Sequence, residues 1–401
     1  MIARGELGAW LAELAGQGLY RQRRVLESPQ GALVVVEGRP LVNFCSNDYL
    51  GLASHPEVVE ALRAGAARYG VGAGAAHLVC GHGRAHQALE EELAEFTGRE
   101  RALLFSSGYL ANLGVVSALA GRRDTIFADR LNHASLLDGA RLAGARLERY
   151  PHADLDALDS ALARCPTRGR LIVSDGVFSM DGDVAPAREL AVLARRYDAW
   201  LMIDDAHGLG VLGTEGGGSL AALGLDQDDV PVLIGTLGKA FGTAGAFVAG
   251  KAKLIDYLLQ RTRTYLYTTA PPPALAEATR AALRLARKDA WRRQHLARLI
   301  TRFRAGATML GLPLGASTTP IQPLIVGDNR AAVRLSQALW SAGFLVAAIR
   351  PPTVPAGTAR LRIALSAAHT DDQVDRLLEA LASALAEVLG KAGQRPEEAE
   401  P

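Results

Sequence analysis

Short apolar runs and longer amphipathic stretches alternate through the middle of the chain. The runs are Ala102–Phe105, Thr125–Ala128, Leu171–Ser174, Trp200–Ile203, Val232–Gly235 and Ala246–Ala249. They are continuous and do not alternate in polarity, the mark of strands buried on both faces. Between them lie His86–Phe96 and Pro186–Tyr197, with apolar residues at helical spacing. Strands separated by helices predict an α/β fold, a large and mostly parallel sheet covered on both sides. Ligands of such sheets bind beyond the carboxyl ends of the strands, so the polar residues that follow each run carry the most weight.

The pattern changes from about Ala274. A long basic helical region reaches to about Met309, Ile321–Val326 reads as a strand, and Arg330–Ser341 as a helix. Strands follow near Phe344–Ile349 and Arg360–Leu365, then a final helix from Thr370. The expected organisation is an N-terminal segment 1–45, a large domain 46–273 and a smaller α+β domain 274–390. The polar tail 391–401 is expected to be disordered.

Bulk properties narrow the class. The chain has 401 residues, 49% hydrophobic and 21% charged, the balance of a soluble globular protein. No apolar run approaches the roughly 18 residues of a membrane span. Met1–Glu6 lacks a charged region followed by an apolar stretch, so no export signal is expected. Cys45, Cys80 and Cys165 are scattered and in no metal-ligand spacing, which fits thiols in a reducing cytoplasm and no metal site. A net charge of +2 gives no reason to expect a nucleic-acid partner.

The chemistry lies after the strand patterns. Lys239 sits in Gly235-Thr-Leu-Gly-Lys-Ala-Phe-Gly-Thr243, where small neighbours admit a ligand and partial burial favours a nucleophilic amine. A P-loop would need Gly at 233 and Ser or Thr at 240; the chain has Leu233 and Ala240. Asp204 ends the Trp200–Ile203 run, and His207 follows in Asp204-Asp-Ala-His-Gly208. A carboxylate there suits a buried cation such as the protonated ring nitrogen of pyridoxal phosphate, with His207 near the phenolic oxygen. Ser106-Ser107-Gly108-Tyr109 follows another strand and opens a helix, an anion-binding geometry, and Thr236 offers a hydroxyl to the same phosphate. His133 follows a third strand; alone, it reads as a structural hydrogen-bonder. Gly70-Val-Gly-Ala-Gly74 follows a helical pattern and not a strand, so it reads as a structural loop and not a dinucleotide fingerprint.

Together these segments resemble the α-oxoamine synthases, a family of fold-type I pyridoxal-phosphate enzymes. The likeness runs from about Leu11 to Leu389. It includes Asn43-Phe-Cys-Ser-Asn-Asp-Tyr-Leu-Gly51, Leu103-Leu-Phe-Ser-Ser-Gly-Tyr109, Asp175-Gly-Val-Phe-Ser-Met-Asp-Gly182, Asp204-Asp-Ala-His-Gly208 and Gly235-Thr-Leu-Gly-Lys239. Gly18-Leu-Tyr-Arg-Gln22, Asn132-His-Ala-Ser-Leu-Leu-Asp-Gly139, Ile349-Arg-Pro-Pro-Thr-Val-Pro355 and Gly357-Thr-Ala-Arg-Leu-Arg362 favour the branch that condenses L-alanine with a pimeloyl thioester in biotin biosynthesis. The glycine-specific, acetyl-CoA-using branch is the alternative. One departure is Ala76, where relatives often carry serine.

The resemblance implies roles. Lys239 holds the cofactor covalently and then removes the α-proton. Asp204 pairs with the ring nitrogen, His207 with the phenolic oxygen, and His133 stacks on the ring. Gly108, Tyr109 and Thr236 hold the cofactor, with Ser179 close to it. Asn47 and Arg362 hold the alanine carboxylate, while Arg21 and Thr353 match substrate-contacting positions. The family is homodimeric, Thr268-Thr269 being candidates for the partner's phosphate. The acyl carrier, coenzyme A or an acyl-carrier protein, stays open.

Overall fold

Each of the six apolar runs forms a strand one or two residues longer than its pattern. In spatial order the main sheet is Arg101–Phe105, Ala246–Gly250, Val232–Thr236, Trp200–Asp204, Arg170–Asp175, Thr125–Asp129 and Arg146–Tyr150. Ala246–Gly250 runs antiparallel to both neighbours, and the other pairings are parallel. This computed structural model describes residues 4–213 and 215–390; the 391–401 tail lies outside the described residues.

The continuity of the runs follows from two apolar layers. Ile126, Val173, Met202, Ile234 and Val248 point into one cluster, together with Val115 and Ile255 from helices Gly108–Leu119 and Ala252–Arg261. Their chain neighbours Phe127, Ile172, Leu201, Ile203 and Leu233 point into the other, with Leu158 and Leu190 from helices Leu155–Arg164 and Ala187–Arg196. Successive strand side chains face opposite ways, so a strand with a core on each side has no polar position to spare. Arg146–Tyr150 departs from that rule. It is an edge strand in which only Tyr150 is buried, so its sequence carries no apolar run.

The chain divides into two compact units. The larger comprises Asp48–Ser179 and Asp183–Arg293 and contains the seven-stranded sheet. The smaller takes the described residues on either side of these, together with Met180–Gly182. Its antiparallel sheet places Ala359–Ala364 between Ile321–Gly327 and Ala347–Ile349. A second small sheet joins Leu33–Val36 to Arg39–Asn43, and Arg39–Asn43 in parallel to Phe344–Leu345. Two expectations change here. The helical region beginning near Ala274 is two helices, Pro273–Lys288 and Ala290–Met309, interrupted at Asp289, whose ψ is 60°. The Phe344–Ile349 strand pattern divides at Val346, and its halves join different sheets.

Candidate active site

In the larger unit the carboxyl ends of the parallel strands bring five sequence-distant segments to one edge of the sheet. Val232–Thr236 leads into the lysine segment, Trp200–Asp204 into His207, Thr125–Asp129 into His133, Arg101–Phe105 into Ser107-Gly108-Tyr109, and Arg170–Asp175 into Ser179. The half-buried Lys239 places Nζ 2.8 Å from His207 Nε2. The other nitrogen of His207, Nδ1, lies 2.7 Å from the hydroxyl of the fully buried Tyr49. His207 is thus held at both nitrogens, and its ring cannot turn without losing one contact.

Asp204 is buried at the end of its strand. Its Oδ1 accepts the Ala206 N–H at 3.0 Å, and Oδ2 accepts from Asn112 Nδ2 at 2.6 Å. The same Asn112 nitrogen donates to Ser135 Oγ at 2.9 Å, and Ser135 Oγ lies 2.7 Å from His133 Nδ1. Among the described residues no cationic side chain lies within ion-pair distance of Asp204. His133 is exposed at this edge, yet surrounding protein desolvates the ring enough to lower its pKa, an effect the Asp204 charge opposes. Its backbone N–H donates to Asp175 Oδ2 at 2.6 Å. Asp175 is buried beside Asp204, and burial followed by that like charge raises its pKa well above the usual carboxylate range. Asp205 is likewise pushed up to about 7, chiefly by burial.

Helix Gly108–Leu119 begins with Ser107 as its N-cap, whose Oγ accepts from Leu110 N at 3.3 Å. A Cβ placed on Gly108 would meet nothing within 4 Å, so the first turn faces open space. The exposed Tyr109 sends its hydroxyl to Asp138 Oδ2 at 2.5 Å. Thr236 Oγ1 receives the Gly238 N–H at 3.4 Å and donates to Gly245 O at 3.2 Å. Ser179 is half-buried at the end of its segment.

The remaining candidates belong to the smaller unit. Arg362, buried in the central strand Ala359–Ala364, donates from Nη2 to Asn47 Oδ1 at 3.1 Å. The two side chains are therefore in direct contact within this unit. Arg21 is exposed and donates from Nη2 to Pro351 O at 3.1 Å, and the exposed Thr353 follows two residues later. Tyr49, Asn112, Ser135 and Asp175 also take part, and none is among the residues expected from the sequence. Tyr49, Ser135 and Asp175 stand inside the resemblance motifs, a usable signal. Asn112 has none, since nothing in its helix pattern separates it from a packing residue.

A family model described as aminotransferase class I and II matches residues 39–381. An 8-amino-7-oxononanoate synthase from Methylococcus capsulatus is 66% identical over 375 residues, covering 94% of this chain and 97% of its own. The chain belongs to the 8-amino-7-oxononanoate synthase family. Another member, from Nitrosococcus oceani, is 63% identical and covers 92% of this chain and 98% of its own. Among solved structures, an 8-amino-7-oxononanoate synthase from Francisella tularensis superposes with a TM-score of 0.76 at 32% identity, over 88% of this chain and 99% of its own. A serine palmitoyltransferase from S. paucimobilis, solved with a pyridoxal phosphate–myriocin adduct, gives 0.91 at 29% identity, over 96% of this chain and 98% of its own. The fold is therefore the aminotransferase-like α/β class expected from the sequence, and the chain is an enzyme of an acyl-transferring family.

Proposed function

We propose that this enzyme condenses L-alanine with a pimeloyl thioester, releasing CO2 and the thiol carrier, to give 8-amino-7-oxononanoate for biotin synthesis. The observation that carries the reading is a buried carboxylate, Asp204, with no cationic partner among the described residues, on the same strand-end edge as a lysine amine held against His207. A buried carboxylate of this kind suits a cationic group brought in by a ligand. The open N-terminus of helix Gly108–Leu119 suits a phosphate. Pyridoxal phosphate has both, and the residues fit it. When bound, it supplies an electron sink for charge developing at the α-carbon of the amino acid.

The chain's own residues do the rest. Lys239 Nζ would hold the cofactor and would serve as the base that takes the α-proton. Asp204 would pair with the ring nitrogen and hold its proton. His207, steadied by Tyr49, would hold the phenolic oxygen, and His133 would lie against the ring. Gly108, Tyr109 and Thr236 hold the cofactor, with Ser179 beside it. Asn47 and Arg362 bind the alanine carboxylate, the guanidinium being suited to two parallel hydrogen bonds, and Arg21 and Thr353 orient the acyl chain. The bond formed joins the α-carbon to the thioester carbonyl carbon as the thiolate leaves. The carboxylate then departs as CO2 and a proton returns to that carbon. We assign the working form as a cytoplasmic homodimer.

The test is product identification by mass spectrometry, with alanine and glycine each offered together with pimeloyl-CoA, a pimeloyl carrier-protein thioester and acetyl-CoA. An 8-amino-7-oxononanoate product from alanine supports the reading. A product from glycine and acetyl-CoA alone overturns it in favour of the glycine-specific branch.

A further inference from the structure

Asn112 lies within the larger unit, fully buried on helix Gly108–Leu119, and has no place in the roles assigned above. Its side chain spans two groups that flank the cofactor in the proposed function. A primary amide has two N–H bonds on one nitrogen, and both are used here: one goes to Asp204 Oδ2 at 2.6 Å, the other to Ser135 Oγ at 2.9 Å. The amide cannot be turned over. Turning would put its oxygen against the carboxylate oxygen, an acceptor facing an acceptor in a site closed to water. The buried Oδ1 has no hydrogen-bond partner. The orientation is therefore set by the nitrogen's two acceptors and not by the oxygen.

The direction of the next bond follows. Ser135 Oγ accepts from Asn112, leaving its single O–H for His133 Nδ1, 2.7 Å away. The Ser135 backbone N–H points to the same nitrogen, at 3.3 Å. Two donors converge on Nδ1, so Nδ1 is the acceptor and the ring proton of neutral His133 resides on Nε2. Close helix packing makes this chain of bonds feasible. A Cβ on Gly139, in helix Ala134–Ala143, would lie 2.9 Å from Val116 Cβ and 3.1 Å from Asn112 O, so only glycine lets that helix approach near enough to bring Ser135 to Asn112.

We infer that Asn112 is a positioning residue that orders both cofactor-facing groups at once, clamping the Asp204 carboxylate and, through Ser135, holding His133 in its Nε2–H tautomer. The consequence for the cofactor rests on the proposed function; the tautomer does not. A substrate or cofactor acceptor above the ring then meets a donor at His133 Nε2 in every turnover. Without the relay the neutral imidazole divides between tautomers, and a fraction of the enzyme presents a lone pair instead.

The experiment uses the full-length protein labelled with 15N-histidine, stripped of cofactor, with the His133 signals assigned by their loss in His133→Gln. In wild type, the nitrogen shifts are expected to mark Nδ1 as the unprotonated, hydrogen-bonded nitrogen. Ser135→Ala removes the O–H and leaves only the longer Ser135 backbone N–H contact at 3.3 Å, so it should shift His133 part-way towards the Nδ1–H tautomer while leaving cofactor affinity within about twofold, because the Asn112–Asp204 bond survives. Asn112→Leu, similar in size, should give the same shift and also weaken cofactor binding roughly tenfold, the scale of one lost hydrogen bond to a charged group. A wild-type His133 protonated on Nδ1 overturns the inference, as does an unchanged tautomer in Ser135→Ala. If Asn112→Leu does not fold, the Ser135→Ala spectrum decides alone. Failure of the wild-type protein to take up pyridoxal phosphate would count against the proposed function and leave the tautomer result standing.

Discussion

Tyr49, at the start of the larger unit, holds one ring nitrogen of His207. Its hydroxyl meets His207 across 158 positions of chain. Within Asp-Tyr-Leu-Gly it has the character of a packing aromatic, so the motif that contains it was legible and its role was not. Tyr49→Phe should keep the fold and cost one hydrogen bond, about 1 kcal/mol or a several-fold slower α-proton exchange with alanine. Exchange at the wild-type rate, followed by NMR in deuterated buffer, would remove Tyr49 from the site. His152 poses a different case. Its Nδ1 lies 3.0 Å from Asp129 Oδ1 and its Nε2 2.7 Å from Asp183 Oδ2, so both nitrogens face carboxylates and the ring carries both protons. Hydrogen bonds to Asp129, then Asp183, raise its pKa to about 10. Because the folded value exceeds the unfolded value of 6.5, the stabilisation is full below about pH 6.5 and is lost as the pH rises towards 10. His152→Gln should therefore lower the urea midpoint clearly at pH 6 and much less at pH 10. An equal deficit at both would show that the ring contributes by packing alone.

The lysine turn makes the corresponding point for an element. After Lys239 the chain reverses, Gly242 N donating to Lys239 O at 2.9 Å. Gly242 has φ +66°, and a Cβ there would stand 2.4 Å from Ala53 N. Both the conformation and the space exclude a side chain, and the obstacle is backbone, which cannot step aside. Gly242→Ala should destabilise the protein by about 2 kcal/mol or more and loosen cofactor retention, read by denaturant unfolding and by loss of cofactor on dialysis. Unchanged stability would show that the loop relaxes freely. Elements with a single demand on each position were legible: the buried strands from their unbroken apolar runs, and helices Arg84–Thr97 and Ala187–Arg196 from their spacing. Elements defined by partners were not. Arg146–Tyr150 is a strand because Thr125–Asp129 offers it a free edge, and the π-helical turn His77–Gly81 has no periodic signature. The site divides in the same way. Lys239, Asp204 and His207 follow strand ends, where the fold class directs attention, whereas Asn112 acts from the interior of a helix.

Among the described residues, two opposed populations of buried groups contribute to acid stability. Burial pulls His369 down to about 4 and His77 to about 3, so as the pH falls below 6.5 the unfolded chain binds protons the folded one refuses, and stability declines. Glu90 and Asp205, held up to about 7 by burial, act in the contrary sense, their folded forms retaining protons that the unfolded chain releases. Glu90 is penalised only once it must ionise, so Glu90→Gln should stabilise the protein at pH 8, with the gain shrinking towards pH 4.5. Denaturant titrations at the two pH values check this, and a gain independent of pH would contradict the buried-carboxyl account. The smaller unit carries a further consequence in its strand order. Arg39–Asn43 is made early, but its parallel partner Phe344–Leu345 comes late, and the Cys45 thiol finds Leu345 O only across 300 positions. On the ribosome, the seven-stranded sheet has all its strands before that partner emerges. The N-terminal hairpin must wait with one edge unpaired, an interval in which a nascent chain is exposed to aggregation and to chaperone capture.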